Sequence, residues 1–491
     1  IDNPWSASHP LRVRHLLDHT GGLDDLRMWQ AFSLRARADA PLRDGLVREG
    51  ERLEIRHPPG ERFSYSNTGY LLLGMVVEAV TGQRYETWLD AELLAALGMT
   101  RSTFAFVTQS GPGADTTLAM GHFDPGHPSA TVASHVRPAT QFTTTADDMA
   151  RLARFLMSDG RVDGRVLVDS ALLRTMGVPS TTEAARAGLA VGYGLGLARR
   201  DRFGLSGRCH TGNTGTFRAA LCLYPAEQRA FFVAYNTDPE GGNFDRVDGM
   251  LAAALGVTAT PEAPAAEPSV DPAEWEGLYV VRPNRFAQFA YLDELAGVTR
   301  VRWTGRELQM LPLQGSDRSL TPVGGALFRA AERREASHVL LRSADGTPII
   351  SDGLRTLERV PASRVYLRWA SALAGVLSLL YILVVGGVRS VGAWRRGAWR
   401  AEPLAWPTVA VAALLLAPLL YLTQSFLAIG DATVANVAVA IATGALPIAL
   451  FVAAVKRAAS QPGGGWARLD AVALVGALQW CVVLALWELL P

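Results

Sequence analysis

The sequence predicts an α+β domain, an antiparallel sheet flanked by helices with an all-helical subdomain, followed by a small β domain and four transmembrane helices. Three observations predict it. Strand-like runs joined by short turns lie between residues 192 and 236, short alternating segments lie between 273 and 360, and four long apolar stretches occupy the last quarter. A chain of 491 residues is too long for one core, so several domains are expected.

The first domain, residues 1–256, begins with helical segments and ends with strands. Each helical segment stops at a glycine, as helices commonly do: RVRHLLDHTGGL, YLLLGMVVEAVTG and ETWLDAELLAALG. Four strand-like runs follow in hairpin order: GYGLGLARR, SGRCHTG, FRAALCLYP and RAFFVAYN. The segment NFDRVDGMLAAALG then predicts a closing helix. Strands in hairpin order with segregated helices indicate the α+β class.

Two further regions separate this domain from the apolar stretches. Residues 257–272, VTATPEAPAAEPSVDP, are rich in Pro and Ala without a hydrophobic period, which predicts an extended linker. Residues 273–360 contain short alternating runs such as LYVVRP and HVLLRS, broken by Gly, Pro, Asn and Asp. They predict a small antiparallel β domain.

Four apolar stretches are predicted to cross a membrane: 366–388, 404–428, 432–455 and 471–490. Each is close to the ~20 residues that a helix needs to span a bilayer. Charges are nearly absent inside them, and Trp or Tyr residues lie near their ends, as interface anchors do. A lipid bilayer is therefore a predicted partner.

The loops between these stretches predict their orientation. The first loop carries Arg389, Arg395, Arg396 and Arg400, and the third carries Lys456, Arg457 and Arg468, whereas the second has no Lys or Arg. Positive charge marks the cytoplasmic side. Both ends of the four-helix region, and with them everything before residue 366, are therefore expected to be extracytoplasmic.

Composition restricts the partners and the redox chemistry. The 47 basic and 46 acidic residues nearly balance, which argues against a nucleic-acid partner. Three cysteines are too few for a disulfide framework, and no CxxC pattern occurs. Cys209 and Cys222 flank a predicted hairpin and are either a disulfide or two buried thiols.

Tyr65 is the first candidate for chemistry. It precedes Ser66 and Asn67 at the start of an apolar run, where Thr68 or Asn67 is expected to cap a helix beginning near Gly69. One interpretation is a helix capped by Ser66 and Asn67, with the ring of Tyr65 packed at the corner. The other is a proton carrier, which requires a neighbouring cation to favour the phenolate.

The second candidate is CHTGNTGTF, residues 209–217. Glycine in a strand often marks a close approach by a ligand or another backbone, and Gly212 lies between Thr211 and Asn213. The backbone N–H of Asn213 at an edge could stabilise an oxyanion. An ordinary hairpin turn is the alternative.

Taken together, these motifs resemble those of the serine β-lactamase and penicillin-binding-protein-like hydrolases, in particular the class C and esterase branch. The resemblance covers residues 1–256 and rests on five segments in order: HLLDHTGGL, PGERFSYSNTGYLLLGMVVEAVTG, TTTADDMARLARFLM, GYGLG and HTGNTGTF. It implies a β-lactamase/transpeptidase-like fold.

The resemblance also implies residue roles and no metal or cofactor. A serine in an S-x-x-K motif forms an acyl-enzyme, and Tyr65 shuttles its proton. Asn67 hydrogen-bonds the substrate amide. His210, Thr211 and Gly212 match the third motif, and the N–H of Asn213 matches one half of the oxyanion hole. His15 and His19 are interpreted as helix C-terminal histidines rather than metal ligands.

Two departures from the family pattern matter. Lys456 is the one lysine, and Ala453 precedes it by three residues, so the S-x-x-K pair is not in this sequence. In the family that pair lies upstream of HLLDHTGGL, so the expectation is an N-terminally truncated chain that is inactive by itself. His210 stands where β-lactamases usually have Lys, which favours an ester or a D-amino-acid peptide or amide as substrate.

The sequence therefore predicts a multi-pass bacterial inner-membrane serine hydrolase with an extracytoplasmic catalytic domain acting on a small-molecule or peptidoglycan-like substrate. The alternative is a catalytically inactive binding or regulatory protein of the same fold. A transporter with an accessory domain is disfavoured because the spans are expected to lack membrane-embedded acidic or basic residues.

Overall fold

A computed structural model describes residues 1–46, 52–123, 126–239, 241–459 and 464–490. The chain divides into two compact units. The first comprises Ile1–Leu26, Ala36–Ala287 and Gly297–Arg359. The second comprises Arg27–Arg35, Gln288–Ala296 and Val360–Pro491.

A five-stranded antiparallel sheet forms the centre of the first 256 residues. Its strands pair in chain order: Gly192–Tyr193, Ala198–Arg202, Leu205–Asn213, Arg218–Tyr224 and Arg229–Tyr235. The run GYGLGLARR, expected to be one strand, contains two, because Gly196 at φ 70° turns the chain between them. Cys209 and Cys222 lie directly opposite each other on adjacent strands and form a disulfide.

Helices cover both faces of this sheet. Leu221 and Leu223 pack with Met149 and Ala153 of the helix Ala146–Leu156. On the other face, Ala220, Tyr224 and Phe231 pack with Ala252 of the helix Phe244–Ala254. Successive strand residues point to opposite faces, so a run such as ALCLY can serve two helices at once. The predicted α+β class is confirmed.

The remaining elements of this region are short. The other α-helices are Val13–Leu17, Met28–Ala31, Asn67–Thr81, Tyr85–Leu89, Arg137–Thr140, Ser170–Thr175 and Glu183–Arg186. Leu42–Gly45 is a 3₁₀ turn, and Asp90–Leu94 is π-helical. Two small hairpins pair Gly121–Phe123 with His127–Ser129 and Arg161–Val162 with Arg165–Val166.

The predicted small β domain is a closed eight-stranded barrel. Its strands are Gly277–Val281, Thr299–Trp303, Leu308–Pro312, Arg318–Gly325, Leu327–Ala330, His338–Arg342, Pro348–Ser351 and Thr356–Val360, the last pairing with the first. Buried Trp275, Tyr279, Leu308, Leu320 and Phe328 fill its interior. Side chains fill a barrel of this size, and closure removes the strand edges that would otherwise remain unpaired.

The Pro/Ala-rich segment 257–272 runs extended along the first unit. Ala266–Pro268 pairs in parallel with the barrel strand Arg318–Gly325. Thr260 donates its N–H to the carbonyl of Gly204, and Ala263 to that of Arg334. A segment with few apolar side chains is thus held by backbone hydrogen bonds, while its boundaries as a linker stay a prediction.

The four apolar stretches are helices in the second unit. Four helical spans are long and apolar enough to cross a membrane, judged by length and composition: Ala362–Arg395, Ala405–Thr423, Val434–Ala458 and Gly465–Leu486. The first passes through a π-helical turn at Ile382–Gly386, and the second ends as the 3₁₀ segment Ala417–Thr423. Large apolar side chains are exposed on them, for example Leu367 at 72% and Val434 at 79%, as lipid-facing residues would be.

A buried charge cluster lies at one end of these helices. The Nη1 of Arg389 lies 2.8 Å from Oδ1 and 2.9 Å from Oδ2 of Asp470. The hydroxyl of Tyr381 also donates to Oδ1 of Asp470, at 2.9 Å, and Nη2 of Arg389 lies 2.8 Å from Oε1 of Glu402. Arg389, Glu402 and Asp470 lie just outside the predicted stretches 366–388, 404–428 and 471–490, although Arg389 and Asp470 fall within the longer helices of the structure. The charges pair with one another there, as buried charges must.

Two segments from earlier in the sequence pack within the second unit, at the other end of the helices. Asp431 accepts the N–H of Leu34 at 2.9 Å, and Gly430 donates its N–H to the carbonyl of Phe32 at 2.6 Å. In Gln288–Ala296, the carbonyl of Leu295 accepts from Nε1 of Trp369 at 2.8 Å. All these partners lie at the ends of the helices away from Arg389 and Lys456.

The barrel predicts a pH dependence of stability. His338 is 4% exposed, and burial lowers its pKa to about 4. Its folded pKa lies below the unfolded value of about 6.5, so the stability it supports is complete above pH 6.5 and is lost as the pH falls toward 4. Below pH 6.5 the unfolding free energy should fall by about 1.4 kcal/mol per pH unit through His338. His338→Gln should remove that slope.

This is measured by hydrogen–deuterium exchange of the barrel peptides in the full chain at pH 7, 6 and 5, after correction for intrinsic exchange rates. His127→Gln, at an exposed position, is the control. An unchanged slope in His338→Gln would contradict a buried neutral imidazole.

Candidate active site

Tyr65 stands directly before the N-terminus of the helix Asn67–Thr81. The helix cap is Ser66, whose hydroxyl accepts the N–H of Gly69 at 3.2 Å. The expectation of a cap at Asn67 or Thr68 and a start near Gly69 is therefore wrong. Because Ser66 takes the capping role, Asn67 becomes the first helical residue and its side chain is available for other contacts.

Asp25 fixes the orientation of Asn67. Its side chain is 0% exposed. Its Oδ1 accepts the backbone N–H of Asn67 at 2.7 Å and the side-chain Nδ2 at 3.0 Å. Its Oδ2 accepts from Nε of Arg285 at 2.6 Å. With Nδ2 held by Asp25, the carbonyl Oδ1 of Asn67 is the end of the amide left to accept a hydrogen bond from a substrate.

His19 supports the ring of Tyr65 from behind. The two rings stack with centroids 4.0 Å apart, and Nδ1 of His19 accepts the N–H of Ser66 at 3.1 Å. Burial lowers the pKa of His19 to about 3, so the imidazole is neutral and carries its proton on Nε2. His19 directly follows Asp18, the C-cap of the helix Val13–Leu17, and has a φ of 57°, so it stands at the helix C-terminus as expected, but the neutral ring brings no charge to the helix dipole.

Tyr193, on the first strand of the sheet, lies between Tyr65 and His210. It is buried, and its ring centroid lies 6.3 Å from that of Tyr65 and 6.3 Å from that of His210. His19 contacts it edge-on at 4.6 Å. The motif GYGLG, which gave only supporting evidence for the family resemblance, thus contains the tyrosine that lies next to both Tyr65 and His210.

His210 lies on the strand Leu205–Asn213, and the residues after it continue into solvent. Burial, with a contribution from Arg200, lowers the pKa of His210, so the ring is neutral at pH 7. Thr211, Gly212 and Asn213 are exposed. Oδ1 of Asn213 accepts the N–H of Gly215 at 2.7 Å, and its Nδ2 donates to Asp238. The described contacts of these three residues are with their own hairpin and Asp238 rather than with Tyr65.

Tyr65 itself is a neutral phenol at pH 7. Burial raises its pKa and the negative charge of Asp25 adds to this, while the positive charges of Arg285 and Arg200 oppose the rise. The guanidinium carbon of Arg285 lies 4.5 Å from the centroid of the Tyr65 ring. Tyr65 can therefore donate or relay a proton, but it needs a partner base to become a phenolate.

Sequence reasoning missed four residues of this site: Asp25, His19, Tyr193 and Arg285. His19 and Asp25 lie in or next to HLLDHTGGL, and Tyr193 lies in GYGLG, so two of the segments that carry the family resemblance were the available signal. Arg285 is 220 residues away from Tyr65 and carries no local signal.

Fold and site together define a class of protein, and comparison with known proteins agrees. A family model described as Beta-lactamase matches residues 2–255. The chain belongs to this family of serine hydrolases.

Individual relatives are more distant. A D-aminopeptidase of Gluconobacter oxydans is 25% identical over 67% of this chain and 58% of its own length. Penicillin-binding protein 4 of Amycolatopsis lactamdurans is 30% identical over 45% of this chain and 60% of its own length. Penicillin-binding protein 4* of Bacillus subtilis is 33% identical over 19% of this chain and 22% of its own length. The chain thus spans less than two thirds of each of these relatives.

Two solved structures illustrate the structural similarity. A crystal structure of SurE is 23% identical with a TM-score of 0.44, covering 73% of this chain and 81% of its own. A D-amino acid amidase of Ochrobactrum anthropi SV3 is 22% identical with a TM-score of 0.40, covering 52% and 79%.

The contacts of Asp25 generate a prediction of stability. Asp25→Asn removes the negative charge that pairs with Arg285. It also leaves one acceptor oxygen, whereas the two carboxylate oxygens of Asp25 accept hydrogen bonds from Asn67 and Arg285. We expect a loss of about 1–3 kcal/mol in the free energy of unfolding, measured by urea denaturation of the full chain in detergent micelles. Asp39→Asn is the matched control, because Asp39 pairs with Arg37 at 2.7 Å on the surface, where both side chains are largely exposed. Equal effects of the two changes would contradict the role given to Asp25.

Proposed function

We propose that this protein is a membrane-anchored, extracytoplasmic serine hydrolase that acts through an acyl-enzyme on an ester or on a D-amino-acid peptide or amide. The observation that carries the proposal is the arrangement of Tyr65, Asn67 and His210. The ring centroids of Tyr65 and His210 each lie 6.3 Å from that of Tyr193, and Asp25 orients the side-chain amide of Asn67, two residues after Tyr65.

Each residue then has a chemical role. A serine hydroxyl attacks the substrate carbonyl, and Tyr65 carries the proton between serine, leaving group and water. Asn67 Oδ1 accepts an N–H of the substrate. The N–H of Asn213 contributes to the oxyanion hole, and His210, Thr211 and Gly212 line the site along the strand.

The serine and its partner lysine are the part that this sequence does not supply. Its one lysine is Lys456, with Ala453 three residues before it. The proposal therefore requires a Ser-x-x-Lys pair from polypeptide outside these 491 residues, and the sequence by itself should be inactive. The same observation favours a second candidate, a catalytically inactive binding or regulatory protein that uses the same cleft.

The neutral state of His210 supports the choice of substrate class. A lysine at this position would provide a fixed positive charge, whereas a neutral imidazole provides a hydrogen bond. The name of the Gluconobacter oxydans relative, D-aminopeptidase, supports a D-amino-acid peptide or amide. Peptidoglycan fragments are a natural source of such groups.

Contacts within the second unit support the proposed orientation. The segments Arg27–Arg35 and Gln288–Ala296 bind Gly430, Asp431 and Trp369, at the helix ends away from the arginine-rich loops. If those loops face the cytoplasm, the segments of the hydrolase part lie on the outer side. The disulfide between Cys209 and Cys222 agrees, since disulfides persist in oxidising compartments.

Activity is tested on the protein expressed from its complete reading frame. A fluorophosphonate probe should label one serine, and Tyr65→Phe should lower kcat on D-alanyl esters and amides by about 100-fold or more, as loss of an acid–base group does. Tyr235→Phe is the control, because the buried Tyr235 hydroxyl has no hydrogen-bond partner among the described residues. Near-normal turnover in Tyr65→Phe removes Tyr65 from the mechanism. If the unmodified protein shows neither labelling nor turnover, the second candidate, a catalytically inactive binding or regulatory protein, is favoured.

Orientation is tested with single cysteines in bacterial cells. Thr423→Cys, at the exposed end of the span Ala405–Thr423 that leads into the loop without positive charge, should react with a membrane-impermeant maleimide in intact cells. Arg396→Cys, in the arginine-rich loop, should react only after permeabilisation, because it faces the cytoplasm. The reverse pattern would place the hydrolase part inside the cell.

A further inference from the structure

An arginine-lined cavity lies within the first compact unit, apart from the residues around Tyr65. It encloses about 310 Å³, close to the lower limit of about 300 Å³ for small-molecule sites. Its walls come from three segments, within residues 8–15, 59–60 and 180–186. The rings and the guanidinium described next to Tyr65 belong to His19, Tyr193 and Arg285, and none of these three lines the cavity.

Hydrogen bonds between the three segments hold the walls of the cavity together. Nη1 of Arg186 donates to the carbonyl of Gly60 at 3.1 Å, and Nη2 of Arg14 donates to the hydroxyl of Ser180 at 3.3 Å. The N–H of Gly60 in turn donates to the carbonyl of Thr20 at 2.8 Å. Two of the arginines in the walls are therefore positioned by protein contacts, and such preorganisation lowers the entropic cost of binding a ligand.

The lining of the cavity is positively charged. Arg12, Arg14 and Arg186 all contribute to it, and all three residues are exposed. In the described part of the chain, the side-chain contacts of Arg14 and Arg186 are with a hydroxyl and with backbone carbonyls rather than with carboxylates. Their positive charges are therefore available to a ligand that enters the cavity.

The carboxylates that neighbour the wall segments have other partners. Oε1 of Glu61 lies 3.3 Å from Nε2 of His9, and Oε1 of Glu183 lies 2.8 Å from Nε of Arg62. Asp18 is buried and accepts hydrogen bonds from two threonine hydroxyls. These negative charges are thus engaged, and they do not replace an anion in the cavity.

Buried His15 adds a hydrogen-bond donor to the lining. The residue is 8% exposed, and its Nδ1 accepts the N–H of Arg12 at 3.3 Å. Burial lowers the pKa of His15, with help from Arg14 and Arg12 and against Asp18, so the ring is neutral at pH 7 and its proton is on Nε2. A Cβ on Gly60 would lie 3.1 Å from Nε2, so glycine at this position keeps the wall open beside the N–H.

This set of groups suits an anion with several acceptor oxygens. Guanidinium groups match the oxygens of phosphate in bidentate hydrogen bonds. A phosphate monoester offers three terminal oxygens and a charge of about −1.5 to −2 at pH 7, against two oxygens and one charge for a carboxylate. Exposed arginines alone would be an ordinary solvated surface. A buried imidazole whose N–H has no hydrogen-bond acceptor among the described residues, and which lines the same cavity, is not ordinary.

We propose that the arginine-lined cavity binds a phosphate group through its three arginines and Nε2 of His15. This site is separate from the candidate active site, and it does not depend on the proposed hydrolase function. The phosphate belongs either to a soluble phosphorylated compound, which is a monoester, or to a lipid headgroup, which is a diester with one negative charge.

Binding is measured by calorimetry on the protein expressed from its complete reading frame, in micelles of a non-ionic detergent. The titrations are made at pH 7 and about 0.1 M salt, where distant exposed charges are largely screened. The probes are the monoester glycerol 3-phosphate, the diester glycerophosphoglycerol, and acetate as a carboxylate of single charge. At least one of the phosphates should bind about 10-fold or more tightly than acetate, as expected for one further hydrogen bond to a charged group. Tighter binding of the monoester identifies a soluble compound as the ligand, and tighter binding of the diester identifies a headgroup.

Two variants test the lining. Arg12→Gln, at an exposed position, should weaken phosphate binding by about 10- to 100-fold, the usual worth of a hydrogen bond to a charged group. His15→Leu removes the N–H and should weaken it by about 10-fold. Arg43→Gln is the matched control, because it removes one positive charge from a side chain that is 78% exposed and lies outside the cavity. It should leave the affinity within about two-fold.

Three results would overturn the proposal: neither phosphate binds, acetate binds as tightly as both phosphates, or Arg12→Gln and Arg43→Gln have equal effects. Urea denaturation of each variant shows whether it is folded. If His15→Leu does not fold, Arg12→Gln decides the question alone.

Discussion

The carboxylate of Asp25 is the group on which the site depends. It is buried, and a buried charge is tolerated only when hydrogen bonds and an opposite charge compensate it. Asn67 provides the hydrogen bonds, from its backbone and its side chain, and Arg285 provides the charge. One carboxylate thereby fixes the amide orientation of Asn67 and holds the guanidinium over Tyr65. Moving any one of these three side chains leaves another with an unpaired charge or donor.

The barrel has a second role through this network. A closed barrel with a filled core would by itself be expected to act merely as a spacer. The loop after its first strand, however, places Arg285 in contact with Asp25 and Tyr65. Asn284, Arg285 and Ala287 bind Arg56, Asp25 and Asp24 respectively, all within the first compact unit. A rigid barrel is a suitable support for such a loop, because the side chains that position a site must be held to within a fraction of an ångström.

How much of this could be predicted from the sequence depended on the range of the interaction. The four apolar helices, the sheet hairpins and the small β domain follow from local periodicity, whereas Tyr65, Asn67 and His210 were proposed as site residues because their motifs resemble those of the serine hydrolase family. The cap was misplaced by a residue or two because Ser66, Asn67 and Thr68 can all cap a helix. Asp25, His19 and Arg285 could not be predicted, because their importance lies in contacts with residues 40 to 260 positions away. The charge cluster at Asp470 was missed because its members lie at the edges of apolar stretches, where charges are ordinary.

Chain connectivity explains why the hydrolase region should be studied with its helices. Asp25 is followed two residues later by Arg27–Arg35, and Arg285 three residues later by Gln288–Ala296. Both segments find their partners in the second unit, in Gly430, Asp431 and Trp369. A fragment without the apolar helices would lose the hydrogen bonds that order these two segments, at a cost of about 0.5–1.5 kcal/mol for each bond. This loss would affect the two stretches of chain next to Asp25 and Arg285. A loss of activity in such a fragment would therefore reflect the loss of these hydrogen bonds rather than the chemistry of Tyr65.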